Sequence, residues 1–420
     1  MALLNRLTVR GVKNLEASCT LTFASKSKVK AVYGSNGAGK TALMISVWML
    51  KQCLMEKDYL VACRRRLMDL INKRKQEVYL SAVFTAEGKK YQYDILLKSL
   101  GNSIVIAQEE YYQYGRGADK TPVYKSLDGV LVYLDHAYAS RFFDETANLL
   151  SQSSFISLVI GKQSLRDEAI KGSALEALVD FARSIQVCLL PGDMPEEPYE
   201  LSSFAEIPPE IAERLKEAYG DNRHRELLFI PKGAYPQLKE FTDRLKAFIQ
   251  MFKPELKDIV LEQHQVENDV IGVERIFVYR NGVRINSYLE STGIRALSSA
   301  FPFIQAAIDG GIVFIDEMDA NANGIFLDAL IRYLAESVKG QICFTSHNTH
   351  LMDGLTSGNN KYGIAFLSPS LGVKEWARNG HLSPENQWTG GFIPGFAFNY
   401  EPLDFYAVFP PKESRKIGEA

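Results

Sequence analysis

The sequence predicts an α/β protein built on a mixed β-sheet, and three segments carry that prediction. In each, a strand pattern ends abruptly in glycine or polar residues: Lys28–Tyr33 precedes a glycine-rich loop, Gly311–Ile315 precedes two acids, and Gln341–Thr345 precedes Ser-His-Asn. Residues 41–54, after the glycine loop, combine helix formers with an apolar face. Short continuous apolar runs of this kind are typical of buried parallel strands in α/β sheets.

The glycine loop, Gly34-Ser35-Asn36-Gly37-Ala38-Gly39-Lys40-Thr41, fits the pattern G-x-x-x-x-G-K-[ST] at every position. Glycines let backbone amides turn towards phosphate oxygens, the lysine reaches the β- and γ-phosphates, and the hydroxyl ligates Mg²⁺. Such a pattern also arises by chance, but a strand and a helix flank this one as the chemistry requires. We therefore predict a site for ATP and Mg²⁺. Its predicted ligands are Asn36, Gly37, Gly39, Lys40 and Thr41.

The second segment ends in Asp316-Glu317. A carboxylate at the end of a buried strand can hold Mg²⁺ beside bound phosphates, which is the role predicted for Asp316. The adjacent Glu317 is predicted to be catalytic, because it can orient or deprotonate an attacking water. A solvated strand end is the alternative, and the presence of the glycine loop favours the metal site.

The third segment, Gln341–Thr345, ends in Ser346-His347-Asn348. A histidine at the tip of a neighbouring strand can contact the γ-phosphate and respond to its loss, so we predict His347 as a second catalytic residue. The spacing of His347 and His350, with Cys343 nearby, leaves a metal site open as an alternative, although it lacks a fourth ligand.

The remaining elements follow from local patterns. Residues 3–12 alternate like an opening strand, residues 78–85 and 91–97 form a hairpin, and Asn281-Gly282 marks a second hairpin. Residues 140–250 have a mostly helical pattern, with helices predicted over 165–187 and 212–219 and a proline-rich linker over 191–209.

Composition limits the class of protein. The 420 residues carry a formal charge of -2, which gives no indication of a global electrostatic grip on nucleic acid. Five scattered cysteines without a C-x-x-C pair favour a reducing compartment. Because neither a signal peptide nor an uncharged apolar run of about 20 residues is present, we expect a cytoplasmic protein without a membrane partner.

The order of these motifs resembles that of ABC-class ATPases, and more narrowly of their SMC, RecF and OLD-like branch. The opening strand followed by Asn14-Leu15 is similar to the N-terminal hairpin of that branch. Ser291-Thr292-Gly293 stands where that branch has its signature motif, which is degenerate in this chain. The resemblance implies that Ser291, Gly293 and Asp319 reach the ATP of a second subunit. An ordinary helix N-cap at Ser291 or Thr292 is the alternative.

The long separation of Lys40 from Asp316 predicts an ABC-type core with an inserted, mainly helical domain. We expect the first part of the core in residues 1–104, the insertion in 105–255, the second part of the core in 256–370 and a tail in 371–420. No heptad pattern is found, so we do not expect the long coiled coils of the SMC and break-repair relatives. The paired acidic motifs of a Toprim domain are also missing, so we expect no built-in nuclease.

By resemblance, the chain is similar to standalone antiphage-defence ATPases, such as those of AriA type in PARIS systems and those of AbiL-like and retron-linked systems. This resemblance implies a homo-oligomer around ATP, in a toxin–antitoxin-like arrangement with a separate effector, a Toprim-like nuclease, and a phage-encoded trigger. A RecF-like repair ATPase, with DNA as partner, and an ATP-dependent scaffold with incidental hydrolysis are the alternatives.

Two further features leave their function open. The basic residues 64–66 and 73–75 either bind a polyanion or are simply exposed to solvent. The aromatic stretch 388–409 either docks a partner or packs on the chain's own core.

Overall fold

The computed structural model describes residues 1–23, 27–115, 119–135, 150–161, 172–189, 228–265, 269–319, 324–356, 363–377 and 382–396. Its strands form three sheets. The parallel sheet at the centre positions the predicted site, and the two antiparallel sheets flank it. No helix within the described ranges is long and apolar enough to cross a membrane.

The central sheet has six strands, in the order β17-β16-β3-β15-β14-β9, and only β17 at its edge runs antiparallel to its neighbour. These strands are β3 (Val29–Tyr33), β9 (Ile185–Cys188), β14 (Ile312–Ile315), β15 (Gln341–Thr345), β16 (Ile364–Ser368) and β17 (Gly372–Glu375). Every residue of β3, β14 and β15 is buried. Both faces of the sheet are covered, which explains why β14 is wholly apolar and why the apolar side chains of β3 and β15 do not alternate with exposed ones.

A seven-stranded antiparallel sheet lies beside one face of the central sheet, in the order β2-β1-β4-β5-β6-β7-β8. Its strands are β1 (Ala2–Arg10), β2 (Cys19–Thr22), β4 (Glu77–Ala86), β5 (Lys89–Leu100), β6 (Ser103–Tyr114), β7 (Lys120–Leu127) and β8 (Val130–Leu134). Helices α1 (Lys40–Met55), α4 (Phe155–Gly161) and α5 (Ala174–Ser184) share one apolar core with both sheets. The short helices α2 (Tyr59–Ala62) and α3 (Arg64–Leu70) follow α1.

The opposite face of the central sheet packs against α7 (Thr292–Asp309), α8 (Gly324–Ser337), α9 (Leu351–Leu355) and α10 (Pro384–Thr389). A third, antiparallel sheet contains β10 (Leu228–Pro231), β11 (Leu256–Gln265), β12 (Val270–Tyr279) and β13 (Arg284–Asn286). Helix α6 (Tyr235–Phe252) packs between this sheet and α7, so the second hairpin and α7 belong to one apolar cluster.

Two buried polar side chains link the central sheet to its antiparallel neighbour. The Gln341 amide accepts a hydrogen bond from Leu4 N at 2.7 Å and donates one to Leu4 O at 2.8 Å, as a neighbouring strand does. The ammonium of the fully buried Lys30 pairs with Glu375 on β17, and Glu375 also accepts a hydrogen bond from Thr22 N on β2.

The α/β class is confirmed, and so are the opening strand, both hairpins, the strands at the three motifs and the helix after the glycine loop. The segment 105–255 differs from the expectation at its start, where β6, β7 and β8 continue the antiparallel sheet. Strands β6 and β7 are rich in β-branched and aromatic residues, which favour strands over helices.

Two further boundaries differ from the expectation. Within the described part of the segment 165–187, where one helix was predicted, only α5 is helical. The last residues of the segment belong to β9, in which the β-branched Ile185 and Val187 favour a strand. Residues 372–375, expected in the tail, form β17 of the central sheet. The predicted helix 212–219 and linker 191–209 lie outside the described residues.

Candidate active site

The glycine loop connects β3 to α1, and its backbone requires two of its glycines. Gly37 has φ of 75° and Gly39 has φ of 95°, which is a left-handed region that favours glycine. A Cβ at Gly39 would lie 2.5 Å from Leu15 Cδ2, so the N-terminal turn packs directly on the loop. The Asn14 amide donates to the Gly37 carbonyl, which fixes the same turn to the loop from a second side.

Lys40 begins α1, and its ammonium lies under the loop. Its Nζ donates to Gly34 O at 2.9 Å and to Ser35 O at 3.3 Å. Burial lowers the pKa of Lys40, whereas the nearby carboxylates of Asp316, Glu317 and Asp319 raise it. The structure therefore places the lysine of the glycine loop in the electrostatic field of all three predicted acids.

Asp316 follows β14 directly, at the carboxyl end of the sheet, and is buried. Its Oδ1 accepts a hydrogen bond from the Thr345 hydroxyl at 2.6 Å. Its Oδ2 is buried and has no hydrogen-bond partner among the described residues. A buried carboxylate oxygen without a partner is costly in a folded protein, so it suits a position where a cation or its water shell is bound.

These donors fit Mg²⁺, which prefers oxygen ligands and takes few of them from the protein when nucleotide phosphates supply the rest. Asp316 offers its free oxygen, and the half-buried Thr41 offers a hydroxyl at the start of α1. Among the described residues, no group of three or more His, Cys, Asp or Glu side chains is placed to hold a metal by itself.

Glu317 is the second residue beyond β14 and is half-buried. Its φ of 46° is left-handed, which is uncommon for a residue with a side chain. Its amide donates to the Thr345 hydroxyl at 2.7 Å. A glutamate held in this backbone conformation beside a metal-binding aspartate is an observation from which a catalytic function can be inferred.

His347 is exposed at the end of β15, next to Asp319. The Asp319 Oδ2 accepts hydrogen bonds from the amides of His347 at 3.1 Å and Asn348 at 2.9 Å. In this chain Asp319 therefore orders the loop of its own subunit, and its predicted contact with a second subunit stays a prediction. The imidazole of His347 is left accessible at the carboxyl end of the sheet.

The alternative metal site at Cys343, His347 and His350 is not supported. Cys343 lies inside the sheet, and burial raises the pKa of its thiol to about 12, so the thiolate that a metal requires is disfavoured. His350 instead approaches a carboxylate, with its Nδ1 3.8 Å from Glu385.

The loop after β15 packs on the C-terminal helix α10. The Tyr33 hydroxyl donates to Asn348 O at 3.3 Å, and Thr349 donates to Glu385 on α10. Trp388 is buried, with its ring 5.9 Å from that of Tyr33. The described part of the aromatic C-terminal stretch thus packs on the chain's own core, and residues 397–409 lie outside the described residues.

Ser291 and Gly293 lie at the start of α7, as predicted. Ser291 is the N-cap residue and is exposed, but its side chain makes no capping hydrogen bond. Glu290 anchors the turn instead, because this buried carboxylate accepts from Ser291 N at 3.1 Å and pairs with Lys253 at 3.2 Å. No hydrogen bond among the described residues joins Ser291 or Gly293 to the glycine loop of the same chain.

The structure thus brings together the glycine loop, Lys40, Asp316, Glu317 and Asp319, whose charges act on one another. It adds Thr345, the last residue of β15, which the sequence analysis did not predict as a site residue. Arg74, from the basic cluster, pairs with Glu16 at 3.1 Å, and binding of a polyanion by that cluster stays a prediction.

No protein-family model and no curated protein matches the chain. Many solved structures resemble it, and three of them are covered over almost their whole length. The SMC head domain from Thermotoga maritima has 15% identity and a TM-score of 0.36, covering 90% of this chain and 100% of its own. An Smc head bound to the C-winged helix domain of ScpA has 13% identity and a TM-score of 0.44, covering 91% and 99%.

An Smc head domain with an extended coiled coil, bound to the C-terminal domain of ScpA derived from Pyrococcus furiosus, has 16% identity and a TM-score of 0.43, covering 90% and 97%. Similarity at this level carries no argument for function.

Proposed function

We propose that the chain binds ATP with Mg²⁺ at the glycine loop and hydrolyses it. The observation that carries this proposal is the buried Oδ2 of Asp316, which has no hydrogen-bond partner in the part of the chain that the structure describes. It stands together with a phosphate loop whose lysine lies in the field of three acids. If the glycine loop matched the motif only by chance, nothing would explain why a buried carboxylate oxygen lacks a partner among the described residues at the same end of the sheet.

Each residue then has a physical role. Lys40 supplies positive charge to the phosphates, and the amides of the glycine loop add hydrogen bonds to their oxygens. Thr41 and Asp316 would hold Mg²⁺, which neutralises phosphate charge when bound. Glu317 orients and deprotonates the attacking water, and the exposed His347 contacts the γ-phosphate.

We further propose that a second copy of the chain completes the site. Ser291 is exposed, its hydroxyl is not used in capping, and the N-terminus of α7 presents amides that favour an anion. Because these groups make no hydrogen bond to the glycine loop of their own chain within the described residues, binding across an interface would give them a partner. Gly293 and Asp319 are proposed to contribute to the same interface.

At the level of the cell, we propose an ATP-driven switch in antiphage defence, which holds or releases a separate effector, a Toprim-like nuclease, when a phage-encoded trigger is sensed. The support for this step is the sequence resemblance to standalone defence ATPases. The contacts between the loop after β15 and α10 offer a physical route by which the state of the γ-phosphate reaches the chain surface.

Two variants test the proposal. Glu317→Gln is expected to keep ATP binding, to lose hydrolysis by about 100-fold or more, as loss of a general base does, and to accumulate an ATP-dependent oligomer on size-exclusion chromatography. Lys40→Ala is expected to lose ATP binding.

Unchanged hydrolysis in Glu317→Gln would reject the catalytic assignment, and ATP-independent oligomers would reject the shared site. ATP-dependent, salt-sensitive DNA binding would favour a repair ATPase instead.

A further inference from the structure

Thr345, the last residue of β15, lies between the two acids of the proposed site. It is fully buried. Its hydroxyl donates to Asp316 Oδ1 at 2.6 Å and accepts from Glu317 N at 2.7 Å. Its carbonyl accepts from Met318 N at 3.1 Å, so the turn after β14 stays attached to β15 on both sides of Glu317.

A threonine hydroxyl has one proton to donate, and here the geometry assigns it. Because the Glu317 amide is itself a donor, the hydroxyl must use a lone pair towards it and direct its proton to Asp316. One oxygen of the Asp316 carboxylate is thereby committed within the protein. The other oxygen, Oδ2, remains buried without a partner among the described residues.

The second bond of the hydroxyl acts on Glu317. This residue holds a left-handed φ of 46°, which a side chain disfavours, and its amide has the Thr345 hydroxyl as its acceptor. Without that acceptor, the buried turn would hold an unsatisfied amide next to a strained residue. The backbone conformation that places the Glu317 carboxylate therefore depends on the same oxygen that orients Asp316.

We propose that Thr345 is a positioning residue of the ATPase site, which sets the metal-binding aspartate and the catalytic glutamate through a single hydroxyl. This inference rests on the proposed function. A merely structural threonine would affect the stability of the chain alone. A positioning residue also changes how strongly the divalent ion contributes to nucleotide binding, and it lowers turnover, whereas nucleotide binding without the ion stays the same.

The test uses Thr345→Val, which keeps the β-branched shape and removes the hydroxyl, in the full-length chain. Loss of a group that orients a metal ligand typically costs about 10- to 100-fold in metal affinity or activity. We expect a loss of this size in Mn²⁺ binding, measured by electron paramagnetic resonance with a non-hydrolysable ATP analogue. We expect kcat to fall as well, and the affinity for ATP in Mg²⁺ to fall together with the metal affinity, because the two are thermodynamically linked. ATP binding in EDTA is expected to change by less than about 3-fold, because Lys40 and the loop amides are intact.

Two controls accompany it. Thr345→Ser restores the hydroxyl and is expected to recover Mn²⁺ binding and kcat to within about 3-fold of the parent chain. Thr242→Val removes another buried threonine hydroxyl, which donates to Leu238 O at 2.8 Å within α6, and is expected to leave both measurements unchanged.

Mn²⁺ binding and kcat at parent levels in Thr345→Val would overturn the inference, and so would equal losses in Thr345→Val and Thr345→Ser. If Thr345→Val fails to fold, Thr345→Ala, which is smaller, carries the same expectation and the same refuting result. If the parent chain itself binds neither ATP nor Mn²⁺ with the analogue, the proposed function fails, and that result is distinct from parent-like behaviour in the variant.

Discussion

Glu109 on β6 is a carboxylic acid buried between the seven-stranded sheet and α4, and its titration gives a quantitative test of the structure. Its Oε1 accepts from the hydroxyls of Tyr93 at 3.1 Å and Tyr124 at 2.7 Å, and its Oε2 accepts from Phe155 N at 2.9 Å. Burial raises the pKa of Glu109 from 4.5 to about 7, although these three hydrogen bonds act to lower it.

The sign of the pH effect follows from the protons bound. Between pH 4.5 and about 7, the folded chain keeps a proton on Glu109 that the unfolded chain has released. The free energy of unfolding therefore falls as pH rises through this window, and outside the window Glu109 adds no further pH dependence. At about 1.4 kcal/mol per pH unit, the window removes about 3 kcal/mol of stability.

The perturbation is Glu109→Gln, which keeps an oxygen acceptor for the tyrosines but does not titrate. Its cost, including an amide placed near Phe155 N, is independent of pH. Urea unfolding followed by circular dichroism would compare the two chains at pH 4.5 and 7.5. We expect the parent to lose about 3 kcal/mol relative to the variant over this range. A difference between the two chains that stays constant with pH would refute the buried, hydrogen-bonded placement of Glu109.

Three other substitutions have defined outcomes. Gln341→Leu leaves both backbone groups of Leu4 unpaired and should lower the unfolding free energy by about 2–5 kcal/mol in urea titrations; a cost below about 0.5 kcal/mol would contradict the link between sheets. Glu375→Gln removes the charge that pairs with buried Lys30 and should lower the unfolding free energy by about 3–5 kcal/mol, which is measured as a lower melting temperature. An unchanged melting temperature would contradict that pairing. Gly39→Ala strains a left-handed backbone and should abolish ATP binding in titration calorimetry; parent-like affinity would contradict the loop geometry.

The strands that end at the three motifs were predictable, because their chemistry is local. A phosphate loop needs a strand before it and a helix after it, and a buried strand ending in Asp316 is visible as an apolar run that stops at an acid. Roles that depend on contacts between distant segments of the chain were harder to predict from the sequence. Thr345 is a common β-former, and nothing in its local sequence indicates that its hydroxyl joins Asp316 to Glu317.

The extension of the antiparallel sheet was missed for a different reason. Strands β6 to β8 contain many β-branched and aromatic residues, which favour strands, but they precede a segment whose composition favours helices. The predicted boundary at residue 105 therefore lies too early in the chain. Strand β9 has only four residues, Ile185–Cys188, directly after α5. Its pairing with β14 joins segments far apart in the chain, and a local pattern carries no information about such a partner.

The most direct test of the central claim is a titration of the parent chain and of Lys40→Ala with ATP, each in Mg²⁺ and in EDTA. We expect the parent to bind ATP, to bind it more tightly with Mg²⁺ because Asp316 and Thr41 then contribute, and to lose measurable binding in Lys40→Ala. Equal ATP affinity in the two chains, or a parent affinity that Mg²⁺ leaves unchanged, would contradict a magnesium-dependent ATP site at the glycine loop.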